Sequence, residues 1–143
     1  HYITTGKIEN KFGIPLKEAE KLYQKIKGIK SLEAKGIHIH IGSQIKSVQP
    51  YIEALKKVRE LIEILQKNHG IKLTYLNIGG GFGIRYKDEE GEFPLEMLVQ
   101  KITPLIPENM RLILEPGRYI MGNNGALVTR LLYRKKGLTK KQP

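Results

Sequence analysis

A regular alternation of helical and strand periodicities along the chain is the feature that most constrains the fold. Three segments with apolar residues at helical spacing each open with a proline, namely Pro15, Pro50 and Pro94. Three short apolar runs that predict strands alternate with them, at 37–41, 73–78 and 112–114, and residues 1–5 are a fourth candidate. This alternation is typical of parallel βα units. It predicts an α/β chain that fits either part of a (β/α)8 barrel or an open doubly wound sheet.

Each predicted helix carries an apolar stripe that should face a core. The stripes comprise Ala19, Leu22, Tyr23 and Ile26 in the first helix, Ile52, Leu55, Val58, Ile62 and Leu65 in the second, and Leu95, Leu98, Val99 and Ile102 in the third. Gly28 and Gly70 are expected to end the first two helices. A further β-rich run at 126–133 predicts a last strand.

Length and composition narrow the class of protein. The chain has 143 residues, 40% of them hydrophobic, and no cysteine, which allows one domain with a core but no disulfide framework, zinc–thiolate site or thiol nucleophile. No apolar stretch approaches the roughly 18 residues of a membrane-spanning helix, and a signal-peptide pattern is absent, so a cytoplasmic protein is expected. A whole barrel needs about 200 to 250 residues, and the chain begins with His1 rather than Met, so we expect a fragment.

The net charge of +11 is concentrated at the carboxyl end. Residues 130–143 carry six basic side chains and no acidic one. Such a tail can bind nucleic acid, but a solvated chain terminus is the preferred interpretation. The rest of the chain lacks the basic patch interleaved with aromatic residues that stacks on bases. Nucleic acid is therefore not an expected partner.

In both candidate folds, ligands bind at the carboxyl ends of the strands. After the first predicted strand, His38 and His40 alternate with isoleucines and so share the face opposite them. Two imidazoles on one face can bind a metal ion, yet no carboxylate lies close in sequence, and no metal is expected. The alternatives are histidines hydrogen-bonded inside a barrel, and an imidazole stacked on a planar cofactor whose anionic arm Ser43 holds.

Three consecutive glycines, Gly79, Gly80 and Gly81, follow the second predicted strand. They permit positive φ angles and close backbone approach, so that several N–H groups can converge on an anion. The segment G-G-G-F-G is neither the dinucleotide fingerprint nor a P-loop. A flexible turn is the alternative interpretation.

The third predicted strand ends in Glu115-Pro116-Gly117-Arg118. The guanidinium of Arg118 can bind a phosphate or a carboxylate through two hydrogen bonds, and the carboxylate of Glu115 can hold a proton on a ring nitrogen. An ion pair between these neighbours is the alternative. An imidazole, a glycine segment and an arginine at successive strand ends together favour a phosphorylated planar cofactor.

Five motifs occur in the order found in one known family. The segments 1–6, 11–14, 38–45, 77–84 and 115–118 resemble those of the fold-type III pyridoxal-phosphate-dependent decarboxylases. The HIGSQI form within 38–45 favours members that act on diaminopimelate over ornithine and arginine decarboxylases. The resemblance implies that residues 1–125 form the second half of a TIM-type (β/α)8 barrel. It also implies that residues 126–143 hold an exit strand towards a β-domain, followed by the basic tail.

The resemblance assigns a role to each site residue. His40 is expected to stack on the ring of pyridoxal 5′-phosphate, and Glu115 to pair with the ring nitrogen. The expected phosphate ligands are Ser43, Gly79, Gly80, Gly81, Gly117 and Arg118. Arg118 is also expected to bind a carboxylate of the substrate.

The family's Schiff-base lysine and cysteine-containing motif have no counterpart in this sequence, so no catalytic residue is assigned. The resemblance implies a homodimer that acts on a small amino acid. We expect the 143 residues alone to bind the cofactor weakly, to be inactive, and to self-associate through unpaired strand edges. The competing hypotheses are an ornithine, arginine or carboxynorspermidine decarboxylase, and a non-catalytic phosphate-binding half-barrel.

Overall fold

The computed structural model describes residues 13–134, in which helices and strands alternate as predicted. The elements are α1 (Leu16–Lys27), β1 (Gly36–His38), α2 (Gln49–His69), β2 (Tyr75–Asn77), α3 (Leu95–Ile102), a 3-10 turn (Thr103–Leu105), β3 (Arg111–Ile113) and α4 (Gly117–Met121). Among these residues no helix has the length and apolar character needed to cross a membrane. The candidate strand at 1–5 and most of the basic tail lie outside the described residues.

The three strands form one parallel sheet in the order β1-β2-β3. His38, Asn77 and Ile113, the last residues of the three strands, are aligned across the sheet. The carboxyl ends of the strands therefore lie side by side at one edge. This edge carries the glycine-rich and polar segments that the sequence singles out.

The regular strands are three residues long, shorter than the predicted runs. Pairing continues beyond them through single hydrogen bonds, from Ile39 N–H to the Asn77 carbonyl at 2.9 Å and from Glu115 N–H to the Gly79 carbonyl at 2.8 Å. Gly79 has φ of +69°, which takes the backbone out of the extended region directly after β2. The strands are short because the chain turns there into the loops of the site.

A hydrophobic core lies against one face of the sheet. The central strand contributes Leu76, and the buried residues of α2 are Tyr51, Leu55, Val58, Leu61, Ile62 and Leu65. The isoleucines at 37, 39 and 41 pack against this core, whereas His38 and His40 are exposed. The predicted two-faced character of this segment is confirmed.

The predicted helix boundaries are also confirmed. Pro15 and Pro94 immediately precede α1 and α3, and Pro50 is the second residue of α2. Gly28 and Gly70 are the C-terminal caps of α1 and α2. Gly70 adopts the left-handed conformation, with φ of 61°, which is the usual use of glycine at this position.

The apolar stripes of α1 and α3 are narrower than predicted. Ala19 is the one buried residue of α1, and Leu95 and Val99 of α3 are 37% and 52% exposed. Among the helices of the described region, α1 and α3 each pack beside α2. A helix with a single helical neighbour buries only the side that faces it, and its remaining apolar residues stay at the surface.

No strand forms at 126–133 within the described part of the chain, although the sequence pattern predicts one there. Leu127 and Val128 are 92% and 93% exposed. A strand is defined by hydrogen bonds to a neighbouring strand, and the sheet of the described region consists of β1, β2 and β3. The exit strand towards a β-domain remains a prediction.

Candidate functional site

The loops that follow the three strands touch one another, and glycines make this contact possible. A Cβ on Gly80 would lie 2.0 Å from the carbonyl oxygen of Glu115, and one on Gly81 would lie 2.0 Å from that of Gly42. A Cβ on Gly79 would lie 2.7 Å from the Ile39 carbonyl oxygen. Because these distances are far below van der Waals contact, no larger residue fits. The three glycines are therefore close-packed against the neighbouring loops rather than forming a flexible turn.

The same glycine segment has backbone donors available for a ligand. The N–H of Gly79 donates to Oδ1 of Asn77 at 2.8 Å. The N–H groups of Gly80 and Gly81 have no acceptor within residues 13–134, and Gly80 is buried. A buried N–H without a partner is uncommon in proteins. An anion bound here would supply the missing acceptor.

The two histidines lie on the open face of the first strand and its extension, with different neighbours. Nδ1 of His40 would lie only 2.9 Å from a Cβ on Gly79, so its imidazole sits beside the glycine segment. Nε2 of His38 lies 3.6 Å from Oε1 of Glu115. Ser43 is half-buried in the loop whose Gly42 touches Gly81. The sequence-predicted residues of the first two loops are thus brought together.

The carboxylate of Glu115 is held by a residue that the sequence analysis missed. Nδ2 of Asn77 donates to Oε1 of Glu115 at 2.7 Å, while the side chain of Glu115 remains 50% exposed. Oε2 of Glu115 has no partner in the described region. The signal available in the sequence was an amide residue at the end of a strand, two residues before the first of the glycines.

Gly117 and Arg118 are the first two residues of α4, and Pro116 separates them from Glu115. Both are exposed. The guanidinium of Arg118 forms no salt bridge within residues 13–134, and Glu115 is bound by Asn77 instead. The alternative of an ion pair between Glu115 and Arg118 is therefore wrong. Arg118 is thus an exposed cation three residues beyond Glu115, with no carboxylate partner in the described region.

A buried tyrosine is hydrogen-bonded to the backbone of the glycine segment. The Tyr51 hydroxyl donates to the Gly80 carbonyl at 2.8 Å, and its ring stacks on Phe82 with centroids 5.2 Å apart. Burial raises the pKa of the Tyr51 phenol above its ordinary value. Tyr51 continues the helical spacing of Leu55 and Val58, a signal that the sequence analysis did not use.

Gln44 fixes the far end of the glycine loop. Its Nε2 donates to the Ile84 carbonyl at 2.6 Å, and its Oε1 accepts from the Ile84 N–H at 3.2 Å. Gln44 has φ of 57°, an uncommon conformation for a residue with a side chain. No sequence signal identified this role, because the contact joins two loops 40 residues apart.

No group of three or more histidine, aspartate or glutamate side chains in the described region is placed to hold a metal ion. Oε1 of Glu115 lies 3.6 Å from Nε2 of His38, whereas the imidazole of His40 lies beside Gly79. The arrangement presents instead a half-exposed carboxylate, a flat imidazole, unpaired backbone donors and an arginine. This set of groups suits an anionic, planar ligand.

Comparisons with known proteins agree with this chemistry. Residues 1–122 match the family of pyridoxal-dependent decarboxylases, in its pyridoxal binding domain. The chain is 46% identical over 136 residues to diaminopimelate decarboxylase of Aquifex aeolicus, a match that covers 94% of this chain and 32% of that protein. The chain spans about a third of the length of the curated relatives it matches.

Solved structures give similar results. The crystal structure of diaminopimelate decarboxylase from Helicobacter pylori complexed with L-lysine is 38% identical, with a TM-score of 0.83, over 94% of this chain and 34% of that one. Lysine/ornithine decarboxylase from Vibrio vulnificus complexed with cadaverine is 30% identical, with a TM-score of 0.68, over 77% of this chain and 30% of that one.

Proposed function

The chain belongs to the pyridoxal-dependent decarboxylase family, and we propose that the protein removes carbon dioxide from meso-2,6-diaminopimelate to give L-lysine. The observation that carries the proposal is the meeting of three strand ends, which gathers His40, the segment 79–81 and Glu115 at one edge of a parallel sheet. Similarity to diaminopimelate decarboxylases over nearly the whole chain supports this choice of substrate.

The groups at this edge fit pyridoxal 5′-phosphate. The unpaired N–H groups of Gly80 and Gly81 suit a phosphate, as do the hydroxyl of Ser43 and the first turn at Gly117 and Arg118. Oε2 of Glu115 can accept a hydrogen bond from a protonated ring nitrogen.

The residues of this chain would then bind the cofactor, orient it and hold a proton on its ring nitrogen. Held by these residues, the cofactor would supply an electron acceptor for the pair of electrons left on the substrate when carbon dioxide is lost. Glu115 keeps a proton on the ring nitrogen, which makes the ring a better electron acceptor. His40 stacks on the ring, and Arg118 binds a substrate carboxylate through two hydrogen bonds.

We also propose the wider architecture implied by the family. Residues 1–125 would form the second half of a (β/α)8 barrel, and residues 126–143 would lead towards a β-domain. Three parallel βα units support the barrel assignment. The whole enzyme would be a cytoplasmic homodimer of lysine biosynthesis. The Schiff-base lysine and the cysteine-containing motif of the family would lie in segments of the enzyme that this chain does not span.

Carbon dioxide release by the full-length protein tests the proposal. We expect release from meso-2,6-diaminopimelate and not from L-ornithine, L-arginine or L-lysine. Glu115→Ala should lower the rate by about a hundredfold or more, the typical size of a lost proton-holding group. Glu108→Ala, which changes an exposed glutamate on another loop, is the matched control and should leave the rate unchanged.

The other outcomes assign the competing functions. Release from L-ornithine or L-lysine instead would make the protein a decarboxylase of the kind represented by the Vibrio vulnificus relative. Binding of pyridoxal 5′-phosphate with no release from any of these amino acids would support the non-catalytic phosphate-binding half-barrel.

A further inference from the structure

Asn77 occupies a central place at the carboxyl edge of the sheet. It is the last residue of β2, the middle strand, and is aligned with His38 on one side and Ile113 on the other. Its backbone carbonyl accepts a hydrogen bond from Ile39 N–H at 2.9 Å. The backbone of Asn77 is therefore fixed by the sheet, and its side chain starts from a defined position.

Both ends of the Asn77 amide are hydrogen-bonded. Nδ2 donates to Oε1 of Glu115 at 2.7 Å, and Oδ1 accepts from Gly79 N–H at 2.8 Å. The Gly79 carbonyl in turn accepts from Glu115 N–H at 2.8 Å. Asn77, Gly79 and Glu115 are thus joined in a closed ring of three hydrogen bonds.

These three hydrogen bonds require an amide side chain at position 77. One end of the side chain must donate to a carboxylate and the other must accept from a backbone N–H, which an amide does in one orientation only. An aspartate could accept from Gly79 but would place a second carboxylate against Glu115. A leucine of similar size would make neither bond.

We propose that Asn77 is a positioning residue that holds Oε1 of Glu115, so that Oε2 is presented to the ring nitrogen of the cofactor. The same side chain ties the conformation of the glycine segment to the position of the carboxylate. His38 lies 3.6 Å from Oε1, too far for a hydrogen bond, so the direct hold is made by Asn77. This inference rests on the proposed function, which gives Glu115 its partner.

Substitution in the full-length protein tests this role. In Asn77→Asp the oxygen facing Gly79 is kept and only the donor to Glu115 is replaced, whereas Asn77→Leu removes both bonds. We expect each variant to lower kcat and cofactor affinity by about tenfold to a hundredfold, the range for a lost hydrogen bond to a charged group. KM for the amino acid should stay unchanged, because Asn77 acts through Glu115. Asn68→Asp, at an exposed position of α2, is the control and should match the wild type.

A double-mutant cycle separates positioning from general structural damage. If Asn77 acts through Glu115, Asn77→Leu should cost little further in kcat when Glu115→Gln is already present. An equal loss of kcat in both backgrounds would overturn the proposal.

These measurements distinguish the absence of a positioning role for Asn77 from an error in the proposed function. If the wild type is active and Glu115→Gln is impaired while both Asn77 variants behave as wild type, Asn77 has no positioning role. If the wild type releases no carbon dioxide from meso-2,6-diaminopimelate, the proposed substrate is wrong. In that case, equilibrium dialysis of pyridoxal 5′-phosphate still compares Asn77→Leu with the wild type, and equal affinities would overturn the positioning role.

Discussion

The carbonyl oxygen of Glu115 lies 2.0 Å from the point that a Cβ on Gly80 would occupy. Because both the glycine and the oxygen belong to backbone held in paired loops, neither can move without separating two strand ends. The two loops of the site can therefore meet only because position 80 carries no side chain. The polar groups, Asn77, His40 and Glu115, surround that contact.

Gly80→Ala should consequently destabilise the protein by about 3 kcal/mol, the upper part of the range for overpacking. Unfolding in urea measures the effect. Gly91→Ala is the matched control, since a Cβ at Gly91 would meet nothing within 4 Å, and it should change stability by no more than about 0.5 kcal/mol. Equal unfolding midpoints for the two variants would show that the loops are not packed as described.

Tyr51→Phe tests the buried support of the glycine segment. Removing the hydroxyl leaves the Gly80 carbonyl without its partner and should cost about 1 kcal/mol at neutral pH. Burial raises the pKa of Tyr51 above the ordinary 10.0. The contribution of the neutral phenol to the free energy of unfolding is therefore fully present below pH 10.0 and is lost as the pH rises towards the folded-state pKa.

The difference in unfolding free energy between the wild type and Tyr51→Phe should therefore shrink above pH 10.0. Urea unfolding of both proteins at several pH values measures it. A difference that stayed constant through this range would mean that the Tyr51 hydroxyl is not buried in the folded state.

At the scale of elements, the helices could be predicted from sequence because their signals are local. Proline at the start and glycine at the end mark α1 and α2, and the apolar spacing of α2 matches its buried face. The exposure of Val99 could not be predicted, since the width of a buried stripe depends on how many neighbours a helix has. Periodicity within the helix carries no such information.

The residues of the site could be predicted in part. Motif residues such as His40 and Glu115 could be placed at strand ends, because parallel strands bring their carboxyl ends together. The bonds between loops could not be predicted, since Asn77 and Glu115 are 38 residues apart in sequence and meet only through the register of β2 and β3. The predicted roles of Ser43, Gly117 and Arg118 in phosphate binding remain predictions.

The two helix caps allow a matched comparison. Gly70 has φ of 61°, and a Cβ there would meet no atom closer than 3.6 Å, so Gly70→Ala should cost about 1 kcal/mol through backbone strain alone. Gly28 has φ of −78°, which alanine adopts freely, and Gly28→Ala should be close to neutral. Thermal unfolding of the two variants measures this, and equal losses would contradict the different cap geometries.

At the scale of the whole molecule, the described region leaves apolar surface and strand edges open. Leu127, Val128, Leu131 and Leu132 are all largely exposed. β1 and β3 each pair with one neighbour among the described residues. Such surfaces promote association, because open edges accept further strands and apolar patches avoid water.

Sedimentation velocity on the 143-residue chain should therefore show self-association that grows with concentration. Leu127→Asp combined with Leu131→Asp should weaken it by placing charges in the exposed apolar run. A single monomeric species at all concentrations would contradict this expectation.

A crystal structure of the full-length protein with bound cofactor would show whether the three strand ends form a pyridoxal 5′-phosphate site. We expect the ring nitrogen within about 3 Å of Oε2 of Glu115, the imidazole of His40 stacked on the ring, and the phosphate against the backbone of Gly80 and Gly81. A cofactor bound elsewhere, or with its ring nitrogen away from Glu115, would mean that these strand ends do not form the site as proposed.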